Sequence, residues 1–294
     1  MMAFAKGQES KEVVIHRYIG VAPVTILAVN PTKAELEKIY GSQLDKAPEY
    51  LGETTINEEK FPQVRIDFLV RTDAEKCNGI DMQSKLSFFL ARTPDYNKDK
   101  TKVRVINKYG EDAWLPVEHA QAGTTPDNMS WYSMDGARIA YRGERDLTDF
   151  LKNFLVIPGR TYTDRQSGEK KVIPNLADAE AQLGQVEAYF KGDFTEIRDI
   201  IASQPTNKVK LCFGVKTTDD NKLYQDVFTR KTLRLRVTDY SRLDEEIQNA
   251  KANGSYPNTE FSVEPLHEYT VAATQFSQPD PAGAPAQPAG GWYN

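Results

Sequence analysis

The stretch Lys208–Arg236, KVKLCFGVKTTDDNKLYQDVFTRKTLRLR, decides the fold class. Its first arm alternates Lys208 and Lys210 with Val209 and Leu211. Its return arm alternates Arg234 and Arg236 with Leu233, Leu235 and Val237. Period-two alternation turns successive side chains to opposite faces of a strand. The segment therefore reads as a long β-hairpin with one face on a core and a row of cations toward solvent. Phe213, Tyr224 and Phe228 lie close to that row. Tyr224, Asp226 and Phe228 share one face, and the carboxylate among them makes Tyr224 the better stacking candidate. Eight basic residues against three acids leave the segment at +5, while the whole chain stands at -5. A cationic sheet carrying aromatics suits a flexible polyanion with stacking bases. It is also what an ordinary solvated strand face looks like, and the pattern alone leaves both readings open.

Outward from the hairpin, strands and helices alternate in blocks. Thr32 and Glu35 form a capping box ahead of a helix that Gly41 closes. Val13–Val29, interrupted by Pro23, suits one or two strands, and Pro48–Glu59 reads as loop. Val64–Phe68, Lys85–Arg92, Lys102–Asn107 and Trp114–Val117 follow as short strands, a spacing that suggests a small barrel or sandwich. Leu147, Phe150, Leu151, Phe154 and Leu155 fall on one face of a helix over Asp146–Ile157. A basic polar loop over 160–173, weak helix over Ala177–Phe190 and an amphipathic helix over Phe194–Ser203 complete a helical insertion at about 144–204. Ser241–Ala252 is a polar helix. The expected class is α+β: an antiparallel OB-like β-barrel over 13–276, behind a flexible N-terminus at 1–12. Residues 277–294, rich in Pro, Ala and Gly, are expected to be a disordered tail with an aromatic end.

The chain has 294 residues, two cysteines and three histidines. Cys77 and Cys212 give neither a disulfide framework nor zinc spacing. His16, His119 and His267 are scattered, without metal-like spacing. No Walker-type loop, GxGxxG or GxSxG elbow occurs. The carboxylate pairs Glu58-Glu59, Asp219-Asp220 and Glu245-Glu246 read as solubilising charge. No enzyme, cofactor or metal is expected, and neither a signal peptide nor a membrane span.

An acidic chain has no bulk attraction for nucleic acid, so any such contact must come from a local patch. Three segments carry the cation–aromatic mixture. The hairpin contributes Lys208, Lys210, Lys216, Tyr224, Arg230, Arg234 and Arg236. Lys98–Tyr109 contributes Lys98, Lys100, Lys102, Arg104 and Tyr109, preceded by Tyr96. Arg160–Lys171 contributes Arg160, Tyr162, Arg165, Lys170 and Lys171. Trp131, in the polar run PDNMSWYSMDG, is either a further stacking platform or a loop anchored to the core. Trp292 and Tyr293 end the tail, either as a short docking peptide or as a chance terminal pair.

The run YRGERDLTDFLKNFLVIP (Tyr141–Pro158), a helical stretch, and then KVKLCFGVKTTDDNKLYQDVFTRKTLR resemble phage-encoded single-stranded DNA-binding proteins, those of the crAss-like phages of gut Bacteroidetes above all. The resemblance implies an OB-type barrel interrupted by helices that coats single strands during phage replication and recombination. It implies self-association on the strand and the cytoplasm of the infected bacterial host as its setting. It also implies a tail that recruits phage replication proteins. Such tails are usually acidic, whereas here the last eighteen residues hold one acid, Asp280. The competing expectation is a virion structural or assembly protein.

Overall fold

The structure, a computed structural model, describes residues 16–108, 111–155 and 186–270, and the backbone of 159–163 and 170–174. Its centre is one curved antiparallel sheet. Five long strands build it: β1 (Tyr18–Val29), β2 (Leu51–Ile56), β3 (Glu59–Thr72), β4 (Gln83–Pro94) and, far along the chain, β11 (Val209–Thr217). β1 is the hinge of the sheet. It pairs with β11 over Gly20–Val24 and with β3 over Val24–Val29. The lane order runs β12 (Leu223–Val227), β11, β1, β3, β4, β8 (Tyr141–Arg142), a half-barrel.

The inner face follows from alternation. Val64, Ile66, Phe68 and Val70 of β3 and Leu86, Phe88 and Leu90 of β4 are all buried in one core. Helices close this core where further strands would complete a barrel. Helix α3 (Glu144–Phe154) inserts Leu147, Phe150, Leu151 and Phe154. The Phe150 ring lies 4.6 Å from Phe68 and 5.4 Å from Phe88. Helices α4 (Val186–Tyr189) and α5 (Thr195–Ala202) add Tyr189, Ile197, Ile200 and Ile201. Burial on this scale, at about 25 cal/mol per Å² of apolar surface, is the main driving force of the fold.

A smaller module stands beside the half-barrel. Strands β5 (Lys102–Ile106), β6 (Asp112–Pro116) and β7 (Arg138–Ile139) form a three-stranded sheet, covered by helix α2 (Val117–Ala122). Its separate core is Val103, Val105, Ala113, Leu115 and Tyr132.

Several expectations hold. Helix α1 (Lys33–Tyr40) starts at the Thr32–Glu35 capping box and ends at left-handed Gly41. Helix α6 spans Ser241–Ala252. The inward face of α3 is the one the sequence marks. Others are corrected. Pro48–Tyr50 is loop, but from Leu51 onward the expectation fails: β2 and β3 form a tight hairpin whose turn residues Asn57 and Glu58 take φ of 49° and 70°. Within 160–173, expected as loop, the described backbone forms a two-stranded ladder, β9 (Gly159–Thr163) with β10 (Lys170–Pro174).

The decisive hairpin is also corrected. β11 and β12 pair from Phe213↔Val227 to Thr217↔Leu223. The chain then leaves the sheet and rejoins it only at β13 (Leu233–Arg234). Leu235 and Arg236 lie in a turn, with Leu235 exposed. The face expected toward solvent is covered. Leu243, Ile247 and Ala250 of α6, at helical spacing, pack on Val21, Cys212, Phe228 and Leu233. Two short strands, β14 (Thr259–Phe261) and β15 (His267–Glu268), then pair with β11 and β1.

Candidate nucleic-acid interface

Two adjoining cavities of about 490 and 520 Å³ lie where the β2–β3 hairpin, the end of β4 and the start of α3 meet. They share Ile56, Asp95 and Arg142. The first is lined by Arg104, Arg142, Arg145 and Arg230 with Phe89. The second is lined by Phe61, Tyr96, Lys98 and Lys100. Six cations thus face three carboxylates, Glu59, Asp95 and Asp146. The sign is opposite to that of the chain.

Local structure aims these groups. In β4 the inward turn of Leu86, Phe88 and Leu90 forces Phe89 outward, where its ring is 52% exposed. Arg142 pairs across to Ala91 in β8, and Gly143 then takes a φ of 86° to start α3. Glu144 is 2% exposed and fixes this corner. Its carboxylate pairs with Arg138 and accepts the Tyr141 amide at 2.8 Å. Arg142 and Arg145 therefore start from an anchored turn. Arg142 is exposed, and its side chain makes no hydrogen bond or ion pair among the described residues.

Arg104 is the opposite case. It is held by Asp95 at 2.8 Å and by Asp112, and its guanidinium lies 4.3 Å from the Trp114 ring centroid. It forms a wall rather than a mobile contact. Arg145 reaches Asp112 at 4.0 Å and Asp146 at 3.9 Å, outside hydrogen-bond range. Arg230 donates to the Ser255 hydroxyl at 2.8 Å. Burial holds the Asp146 carboxyl above its ordinary range, against the lowering pull of Arg145, Arg230 and Arg104.

The residues singled out in the sequence divide into groups. Arg104 and Arg230 are brought together in the first cavity. Lys98, Lys100 and Tyr96 are brought into the second. Lys102, Lys216 and Arg236 are exposed and Arg234 is half-buried, without ion pairs among the described residues. Tyr224, opposite Lys216, is 49% exposed. Trp131 is 69% exposed, resting edge-on against Tyr132, and it is Tyr132 that anchors the loop by donating to the Val105 carbonyl at 2.9 Å. Lys208 and Lys210 do not form a free row. Lys208 is paired with Asp73 at 2.7 Å. Lys210 donates to the Val237 carbonyl at 2.6 Å and the Tyr240 hydroxyl at 2.9 Å. Phe213 and Phe228 are core. Tyr109, Arg165, Trp292 and Tyr293, and the side chains of Arg160, Tyr162, Lys170 and Lys171, lie outside the described residues.

Phe61, Phe89, Arg142 and Arg145 escape the sequence reading. The signal for Phe89 was present in KLSFFLAR: two adjacent phenylalanines on a strand must face opposite ways. Arg142 and Arg145 sit in a helix-entry corner that spacing alone does not mark as a cavity wall.

Among the described residues, no cluster of three His, Cys, Asp or Glu side chains is placed to hold a metal ion, and no helix is long and apolar enough to cross a membrane. Fold and site together define an α+β half-barrel protein with a cationic, aromatic-bearing groove. In comparisons with known proteins, no family model, curated sequence or solved structure matches the chain.

Proposed function

We propose that this protein binds single-stranded DNA without sequence preference, along the groove formed by the two joined cavities. The observation that carries the reading is the convergence there of six cations with Phe61, Phe89 and Tyr96 in a chain of net charge -5. Single-strand binders combine a cationic track for phosphates with aromatic platforms for bases. Duplex DNA keeps its bases stacked inside and offers the platforms nothing. The half-barrel reads as a divergent OB-like barrel, supported by the way β1 serves one neighbour with its first half and another with its second. Coating of single strands during phage replication and recombination, in the cytoplasm of an infected host, is the setting the sequence resemblance suggests. Recruitment of replication partners by Trp292 and Tyr293 belongs to the same proposal.

Fluorescence anisotropy with labelled oligo-dT and with duplex, each at two salt concentrations, tests the reading. The expected outcome is nanomolar-to-micromolar binding to oligo-dT that weakens steeply with salt. Equal affinity for duplex, or a flat salt response, would overturn it. Stable self-association with no affinity for oligo-dT would favour a virion assembly role instead.

A further inference from the structure

We propose that the two cavities divide the work within one nucleotide: the arginine-lined cavity takes the phosphate, and the adjoining aromatic cavity takes the base. This rests on the single-strand reading for its biological context, but it makes a narrower claim about ligand chemistry.

The four arginines come from four separate places in the fold: Arg104 from β5, Arg142 from β8, Arg145 from α3 and Arg230 from the excursion after β12. Only Arg104 is tightly neutralised, by Asp95 and Asp112. Arg145 reaches its carboxylates no closer than 3.9 Å, Arg230 is held by a neutral hydroxyl, and the Arg142 side chain is unpaired among the described residues. Four guanidinium groups gathered on a cavity lined by two carboxylates, Asp95 and Asp146, repel one another. An anion there relieves the repulsion. Phosphate oxygens match the planar fork of arginine two at a time, as carboxylate oxygens do, and phosphate is the anion that a nucleotide supplies.

Arg142 lines both cavities, so a phosphate it holds stands at the entrance to the second. There Tyr96, 38% exposed, and half-buried Phe61 present rings beside Lys98 and Lys100. A base attached to the bound phosphate reaches these rings without leaving the groove. The strand then crosses the β2–β3 hairpin from one cavity to the other. Lys208 and Lys210, occupied by Asp73, Val237 and Tyr240, stand outside the contact.

The test is calorimetric titration of the full chain with inorganic phosphate, thymidine and thymidine 5′-monophosphate. The monophosphate is expected to bind at least tenfold more tightly than thymidine, and inorganic phosphate to compete with it. R142A combined with R230A removes that tenfold advantage, while Y96L weakens the monophosphate and leaves inorganic phosphate unchanged. Exposed Arg142 makes R142A alone the control if the double variant melts early. Equal binding of thymidine and monophosphate, or an advantage that survives R142A with R230A, overturns the division of work. Oligo-dT binding separates the two claims. If oligo-dT binds the variants as it binds the parent, the strand does not run through the arginine cavity, and single-strand binding then belongs to another surface. If the monophosphate binds and oligo-dT does not, the reading falls and the nucleotide site stands.

Discussion

Gly143 lies so close to the Phe89 carbonyl oxygen that a Cβ at position 143 would overlap it. Gly143 also takes a φ of 86°, a conformation that costs other residues about 1–2 kcal/mol. The two residues join the last turn before α3 to the strand that carries the exposed Phe89 ring. A substitution here therefore strains the turn and pushes β4 out of place at once. G143A is expected to lose at least about 2 kcal/mol of stability. A urea melt with an unchanged slope and a lower midpoint would show it. A variant as stable as the parent would mean that the corner is looser than its geometry.

Lys208 offers the complementary experiment. Its partner Asp73 is 10% exposed at the side chain, and the lysine itself 29%. K208A leaves a largely buried carboxylate without its cation, a loss of about 1–2 kcal/mol. Because the groove lies elsewhere, affinity for oligo-dT should change less than twofold. A tenfold loss of affinity at unchanged stability would return the hairpin to the interface.

The half-barrel was legible where burial is one-sided. In β4 and α3 the spacing of apolar residues names the inner face, and the structure places those residues in one core. The capping box at Thr32 was legible because it is local. The hairpin misled because its strand is covered twice: Val209, Leu211 and Phe213 face one core, and Cys212 on the other side faces a second beneath α6. A lysine in such a strand appears exposed in sequence, whereas its ammonium has found a specific partner. Asp73 lies 135 positions away from Lys208, beyond any window of periodicity. The groove was hidden for the same reason. Its arginines span Arg104 to Arg230 and meet only through the tertiary fold.

Phe89 separates binding from folding. Its ring is half in solvent, so F89A removes little buried surface and should leave the melting temperature nearly unchanged. If the base of a neighbouring nucleotide in the strand stacks on it, oligo-dT affinity falls by about 1–3 kcal/mol, on the order of 5- to 150-fold. F89W should retain or improve affinity, since the indole is a larger platform. Equal affinity for F89A and the parent would remove Phe89 from the strand path.

Asp146 gives the groove a pH dependence. Burial holds its carboxyl above the ordinary range; the groups acting on it are Arg145 and Asp149 of its own helix, Arg230, and Arg104 of β5. A carboxyl whose folded value exceeds its unfolded value binds more protons in the native state. Its contribution to stability is then present below the unfolded value and lost as pH rises through the folded one. D146N has no proton to lose, so its melting temperature should decline less than that of the parent from about pH 4 upward. The same protonation removes a negative charge from among the arginines. Phosphate affinity of the parent should rise several-fold on acidification through this range, while D146N binds more tightly at neutral pH and shows a flatter profile. Parallel pH profiles for parent and D146N, in both melting and phosphate titration, would show that Asp146 stays ionised throughout and leaves the cavity's charge unchanged.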